Sequence, residues 1–150
     1  MASPPDHRHL AREAALQMLY AIELGGQSVS EVEGWYLQSH PLDPAVREMA
    51  SRLLEHVAAS ETAIAALLLA HVHGWKPERL SVIDRSVLKL AIAELIAERE
   101  TPAPVIIHEA LRLGKKFSQP EAVAFLNGVL DAVSKQVRPR TPAGSSPAGS

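Results

Sequence analysis

The chain has 150 residues, 47% of them hydrophobic, and a formal net charge of -2 at pH 7. That length suits one domain with a real core, and so small a net charge excludes a bulk polycation that would bind nucleic acid by charge alone. Cysteine is absent, which excludes disulfides, thiolate catalysis and Cys-ligated zinc; no apolar run approaches the ~20 residues that span a bilayer, and the opening residues hold no apolar signal core, so no membrane attachment and a cytoplasmic location are expected.

Taken in chain order, the elements read as helices. Ala, Leu, Glu and Arg dominate, and Val105-Ile106-Ile107 is the one β-branched run, lying after Pro102 and Pro104 and leading into a helical pattern. The first helix is expected over residues 7–24, stopped by Gly25-Gly26. Ser30-x-x-Glu33 matches a capping box for a second helix carrying Val32, Trp35, Tyr36 and Leu37, ended by Pro41. Asp43-Pro44 reads as N-cap and first-turn proline of a third helix to about residue 59. Ser60-Glu61 restarts the chain as a fourth helix that ends near His73-Gly74. Ser81-x-x-Asp84 resembles a cap for a central helix to about residue 99, apolar on both faces and therefore the buried one. Thr101-Pro102-Ala103-Pro104 breaks the chain. Ser118-x-x-Glu121, with Phe117 before it as a packing staple, matches a capping box for the last helix. Residues 138–150 are rich in Pro, Gly and Ser with no large apolar side chain, the composition of a disordered tail.

Charge is unevenly spread. Residues 13–104 hold 13 acidic and seven basic side chains, whereas the flanks, 1–12 and 105–150, hold four acidic and eight basic. If the ends meet in space they form one positive face, and phosphate contacts draw on local rather than net charge. Arg8 and Arg12 share one face of the first helix, either as phosphate contacts or as a solvated start. Lys115, Lys116 and Phe117 close one helix while Phe125 and Asn127 open the next. Together they offer cations for phosphate, rings for base stacking and an amide for a base edge; the alternatives are lysines complementing a helix dipole and phenylalanines in the core. Gly128 sits inside an apolar helical stripe, where glycine costs ~1 kcal/mol relative to alanine. Either close helix packing or room for a ligand must use it.

No enzyme motif is present: G-x-S-x-G, G-x-x-x-x-G-K-[ST] and G-x-G-x-x-G are all missing. Glu109 and Glu121 form no evident acid–base pair. His71 and His73 lie two residues apart and point about 200° from each other on a helix, so they do not share an ion. A non-enzymatic protein with no metal and no cofactor is expected.

Three ordered segments carry a family resemblance: Ala11-Arg12-Glu13-Ala14-Ala15-Leu16-Gln17-Met18-Leu19-Tyr20, then Ile83-Asp84-Arg85-Ser86-Val87-Leu88-Lys89-Leu90-Ala91-Ile92-Ala93-Glu94-Leu95, then Ile107-His108-Glu109-Ala110-Leu111-Arg112-Leu113-Gly114-Lys115-Lys116-Phe117-Ser118 with Phe125-Leu126-Asn127-Gly128-Val129-Leu130-Asp131. They resemble the NusB family of bacterial transcription antitermination factors. The resemblance implies an all-α fold of about six to seven helices in two packed bundles, joined near Gly74–Pro77, with residues 1–137 as the RNA-binding domain. It implies binding of single-stranded boxA RNA of rRNA operon leaders together with the ribosomal protein NusE, entry into the RNA polymerase elongation complex, and in some relatives a homodimer. Carried over residue by residue, the RNA-binding set is Arg8, Arg12, Lys115, Lys116, Phe117, Phe125 and Asn127, and the protein-partner set is Glu78, Asp84 and Lys89, with the acidic middle facing a basic ribosomal protein. His9 and Leu10 stand where many relatives have further arginines. His108 replaces the usual asparagine and reads as a hydrogen-bonded structural histidine. Two other readings remain open: the RNA-binding module of an rRNA methyltransferase, for which residues after 137 leave no catalytic domain, and a protein-interaction domain that has lost RNA binding.

Overall fold

The first helix, α1 (His7–Gly25), begins where the Asp6 side chain accepts a hydrogen bond from the Arg8 amide, and ends at Gly26, whose φ of +68° lies in the left-handed region that favours glycine. In the computed structural model, which describes residues 6–74 and 80–139, six further helices follow: α2 (Val29–Ser39), α3 (Pro44–Ala59), α4 (Glu61–His71), α5 (Val82–Ala97), α6 (Ala103–Phe117) and α7 (Ala122–Val137). No strand occurs among the described residues. No single helix among them is long and apolar enough to cross a membrane.

Several ends differ in detail from the sequence reading. The capping box of α2 is Ser28 with Glu31, not Ser30 with Glu33; Ser30 lies inside the helix and Glu33 accepts from the Ser51 hydroxyl. Pro44 opens α3, but Asp43 makes no side-chain cap and instead faces His7 at 3.7 Å. Helix α4 stops at His71. Ser81 caps α5 as expected, its Oγ accepting from the Asp84 amide. Ser118 and Glu121 do not form a capping box: α7 starts without a side-chain cap, and the Ser118 hydroxyl donates to Asp84 of α5. Of the junction Gly74–Pro77, only Gly74 lies within the described residues.

Two bundles share one helix. Helices α1, α2 and α3 pack together, α6 and α7 pack together, and α5 packs against α1, α3, α6 and α7. Nine residues of α5 are buried, from Ser86 to Leu95, so both of its faces are core. Its exposed carbonyl end is closed by a residue that composition assigns to the tail. The Arg138 guanidinium donates to the carbonyls of Leu95 at 3.0 Å, Glu98 at 2.7 Å and Glu94 at 3.4 Å, and to that of Thr101. The last orphan carbonyls of a helix need partners, and here the Arg138 fork supplies Leu95 while Arg99 Nε donates to Ile96 at 3.2 Å.

The glycines of the helical hairpin α6–α7 divide sharply. A Cβ at Gly114 would stand 2.9 Å from a methyl of Leu126, itself fully buried, so Gly114 lets α7 approach α6. A Cβ at Gly128 would meet nothing within 4 Å. Close packing therefore does not explain Gly128. Gly114→Ala is expected to destabilise by ~1–3 kcal/mol through overpacking, while Gly128→Ala should stabilise by ~0.5–1 kcal/mol through helix propensity. Denaturant titration of the two variants checks both signs.

Three carboxylates knit the helices, Glu98 and Glu109 buried and Glu23 half-buried. Glu98 accepts from His56 Nε2 at 2.7 Å and Arg52 Nε at 3.1 Å, Glu23 from Lys89 Nζ at 2.8 Å and Arg85 Nε at 3.2 Å, and Glu109 contacts His9 Nδ1 at 2.9 Å and accepts from Arg112 Nη1 at 3.0 Å. Burial pushes each carboxyl pKa up, but the bonds to these partners outweigh it and each lies below the ordinary 4.5. The unfolded chain therefore binds protons first as pH falls. The stability that these pairs contribute is complete above about pH 5 and is lost as pH drops below about 4. Melting temperature should fall over that window, and replacing Glu23, Glu98 and Glu109 together by Gln should flatten the fall. An unchanged slope in the triple variant would refute the assignment.

Candidate nucleic-acid interface

The basic ends of the chain do meet. Side chains from the first turns of α1 reach α6 and the segment before it: Arg8 Nη1 donates to Thr101 Oγ1 at 3.4 Å, His9 reaches Glu109, and Lys116 Nζ donates to both carboxylate oxygens of Glu13 at 3.0 Å. Arg8, Lys115, Lys116, Phe125 and Asn127 are all exposed. Phe125 breaks from the apolar stripe that its position predicts. Its ring stands 36% exposed while Leu126, Val129, Leu130 and Val133 are buried. Phe117 is half-buried against the core, with Lys116 Nζ 5.4 Å from its ring centroid. It is the less available of the two rings.

Arg12 is a correction. Its guanidinium is buried, not solvent-facing, and makes a bidentate pair with Glu94 of α5, Nε to Oε1 and Nη2 to Oε2, both at 2.8 Å. Burial works against the charge, but the hydrogen bond and the attraction of Glu94 outweigh it, and the guanidinium pKa is raised. A phosphate cannot reach this group without unpacking α1. The signal was available: Arg12 falls in the stripe Ala11, Ala15, Leu16, Leu19 that α1 buries. His108 is also a correction. It is exposed on α6 and makes no hydrogen bond to another described residue, so it is not a satisfied structural histidine.

On the other side, Asp84 is half-buried at the start of α5 and joined to Ser118. Lys89 and Arg85 converge on Glu23 at the border of a cavity of about 450 Å³ walled by Leu19, Leu54, Ile64 and Leu68. Glu78 lies outside the described residues. Part of the acidic middle is spent within the chain, since Glu13, Glu23, Glu94 and Glu98 all pair with its own cations.

Two helical bundles sharing one buried helix, with cations, an exposed ring and an amide at the turn from α6 to α7, define an all-helical protein of NusB-like architecture. The chain belongs to the NusB family, whose profile matches residues 9–135. It is 37% identical over 131 residues to the transcription antitermination protein NusB of Koribacter versatilis (strain Ellin345), covering 87% of this chain and 90% of that one. It is 38% identical over 130 residues to the protein of the same name from Sorangium cellulosum (strain So ce56), covering 87% and 93%. Among solved structures it is similar to a chain in a crystal structure of the antitermination factors NusB and NusE in complex with dsRNA, with a TM-score of 0.80, 26% identity and coverage of 87% and 97%.

Proposed function

We propose that this protein is a non-enzymatic transcription antitermination factor acting in the cytoplasm. It binds boxA RNA of rRNA leaders together with the ribosomal protein NusE and joins the elongating RNA polymerase. The observation that carries the RNA half is the placement of Phe125. One of only two phenylalanines in the chain keeps about a third of its surface open to solvent at the same helical hairpin as Lys115, Lys116 and Asn127. A ring beside cations and an amide suits an unpaired base and its phosphates. Asp84 and Lys89 remain the proposed partner-protein contacts, and Arg8, Lys115, Lys116, Phe125 and Asn127 the proposed RNA contacts, with Phe117 and Arg12 supporting them from beneath. The mechanism is assembly: RNA and partner hold the factor near polymerase at high effective concentration.

The test is titration of labelled leader RNA with the chain alone and with NusE, where the partner should tighten binding. Phe125→Leu should weaken RNA binding by ~1–3 kcal/mol if the ring stacks on a base, with the melting temperature and the salt slope unchanged. Lys116→Ala should weaken all sequences alike and flatten the log–log salt dependence by up to ~0.7. A second reading, a protein-interaction domain without RNA binding, is favoured by one observation: Arg12 is buried and Lys116 is already neutralised by Glu13. NusE binding with no RNA binding, in either mixture, would establish that reading instead.

A further inference from the structure

We infer that the cleft between α6 and α7 is a subsite for one unpaired nucleotide of the bound RNA, selecting a base with an exocyclic amino group over uracil. The inference rests on the RNA-binding reading above and adds to it a base preference and the residues that set it.

The cleft measures about 360 Å³, within the ~300–1,000 Å³ of small-ligand sites. Ile107 and Leu111 of α6 give it aliphatic walls, and His108, Asn127, Asp131 and Ser134 line it with an imidazole, an amide, a carboxylate and a hydroxyl. Apolar walls with hydrogen-bonding groups at the edge suit the face and the edge of a heteroaromatic ring. The position fits a strand that also reaches Phe125. On α6, His108, Leu111 and Lys115 follow one another on one face at helical spacing, so the cleft leads to a lysine at the hairpin end. On α7, Asn127 and Asp131 share one face and Phe125 lies roughly 160° around the helix from Asn127. The surface between them, one turn either side, carries the small residues Ala124, Gly128 and Ala132, with Glu121 before it and Lys135 beyond. Gly128 is exposed and has open space where a Cβ would be. An RNA backbone can cross there close to the helix, which gives the otherwise costly glycine a use.

The carboxylate sets the preference. Asp131 Oδ2 is 3.0 Å from Lys135 Nζ, and both side chains are largely exposed. One such pair leaves lone pairs of the carboxylate open to further donors. A carboxylate accepts only. Cytosine, adenine and guanine offer it an amino N–H on the Watson–Crick edge. Uracil offers one N–H flanked by two carbonyl oxygens, which the carboxylate repels. A phosphate is repelled as well, so the base rather than the backbone enters this cleft.

The test uses the full chain and fluorescent 12-nucleotide strands of oligo(C) and oligo(U), titrated at low salt with wild type and Asp131→Asn. Asparagine keeps the shape and can both donate and accept, and an exposed site leaves the melting temperature unchanged. Wild type should prefer oligo(C) by roughly tenfold, within what one good base contact contributes, and Asp131→Asn should bring the two affinities together. The ratio is the readout, because loss of a negative charge alone tightens both strands equally. A preference unmoved in Asp131→Asn, or no preference in wild type, overturns the subsite while leaving RNA binding intact. Failure of wild type to bind either strand, or leader RNA, overturns both readings.

Discussion

Arg12→Ala is expected to cost about 3–5 kcal/mol of folding stability, because it leaves the Glu94 carboxylate charged and unpaired in the core. Both side chains are almost wholly buried, 3% and 2% exposed, and the two bonds that join them tie α1 to α5 across 82 residues of sequence. Around the pair lie Val87, Leu90, Ile106 and Leu113, whose side chains can neither accept nor donate. Glu94→Ala should cost a similar amount by stranding the guanidinium. The double replacement Arg12→Met with Glu94→Leu should cost much less than the two single changes together, since apolar groups of similar volume often replace a buried ion pair at little loss. Thermal melting of the three variants gives the coupling. A phosphate contact would behave otherwise: Arg12→Ala would melt like wild type and flatten the salt dependence of RNA binding. That result would return Arg12 to the RNA surface and refute the packing described here.

The second large effect concerns Arg138. A chain ending at Val137 should be less stable than one ending at Pro139 by about 2–3 kcal/mol, the scale of hydrogen bonds from a charged group; the Leu95 and Thr101 carbonyls lose their donor, while those of Glu94 and Glu98 keep the backbone amides of Glu98 and Thr101. Arg138→Ala in the full chain should match the shorter truncation. Arg138→Lys should restore only part of the loss, because an ammonium is a point donor and cannot span carbonyls on Glu94, Leu95, Glu98 and Thr101 as the planar guanidinium does. Equal melting of the two truncations would show that α5 ends without this seal.

Local signals carried the reading of the fold as far as local signals go. Gly25-Gly26 and Ser81-x-x-Asp84 act on their own helices, and the helices start and stop where those residues dictate. The slip at α2 arose because Ser28-x-x-Glu31 and Ser30-x-x-Glu33 present the same pattern two residues apart. Only the side of the helix that Val32 and Tyr36 bury can choose between them. Ser118 was misread for a different reason. Its hydroxyl has a partner on Asp84, 34 residues away, and no window on the chain contains both. The same holds for Arg12 and Glu94, and for Arg138 and the end of α5. Residue chemistry placed cations, a ring and an amide at the hairpin, whereas exposure of Phe125 and His108 and burial of Arg12 depend on which helices lie alongside. His108, read as a hydrogen-bonded structural histidine, lines an open cleft.

The shared helix also sets an order of events on the ribosome. At ~5–20 residues per second, about 4–16 s separate the appearance of Arg12 from that of Glu94, 82 positions later. During that interval the first three helices hold a charge at the centre of the surface they must bury, so they cannot close on one another as a finished unit. When α5 follows, it completes the first bundle and exposes the template for the second, and its own last turn then waits for Arg138, some 40 residues on. The nascent chain thus matures around α5, first bundle before second, and a pause in synthesis between α5 and α7 would leave exposed the apolar face that α6 and α7 cover.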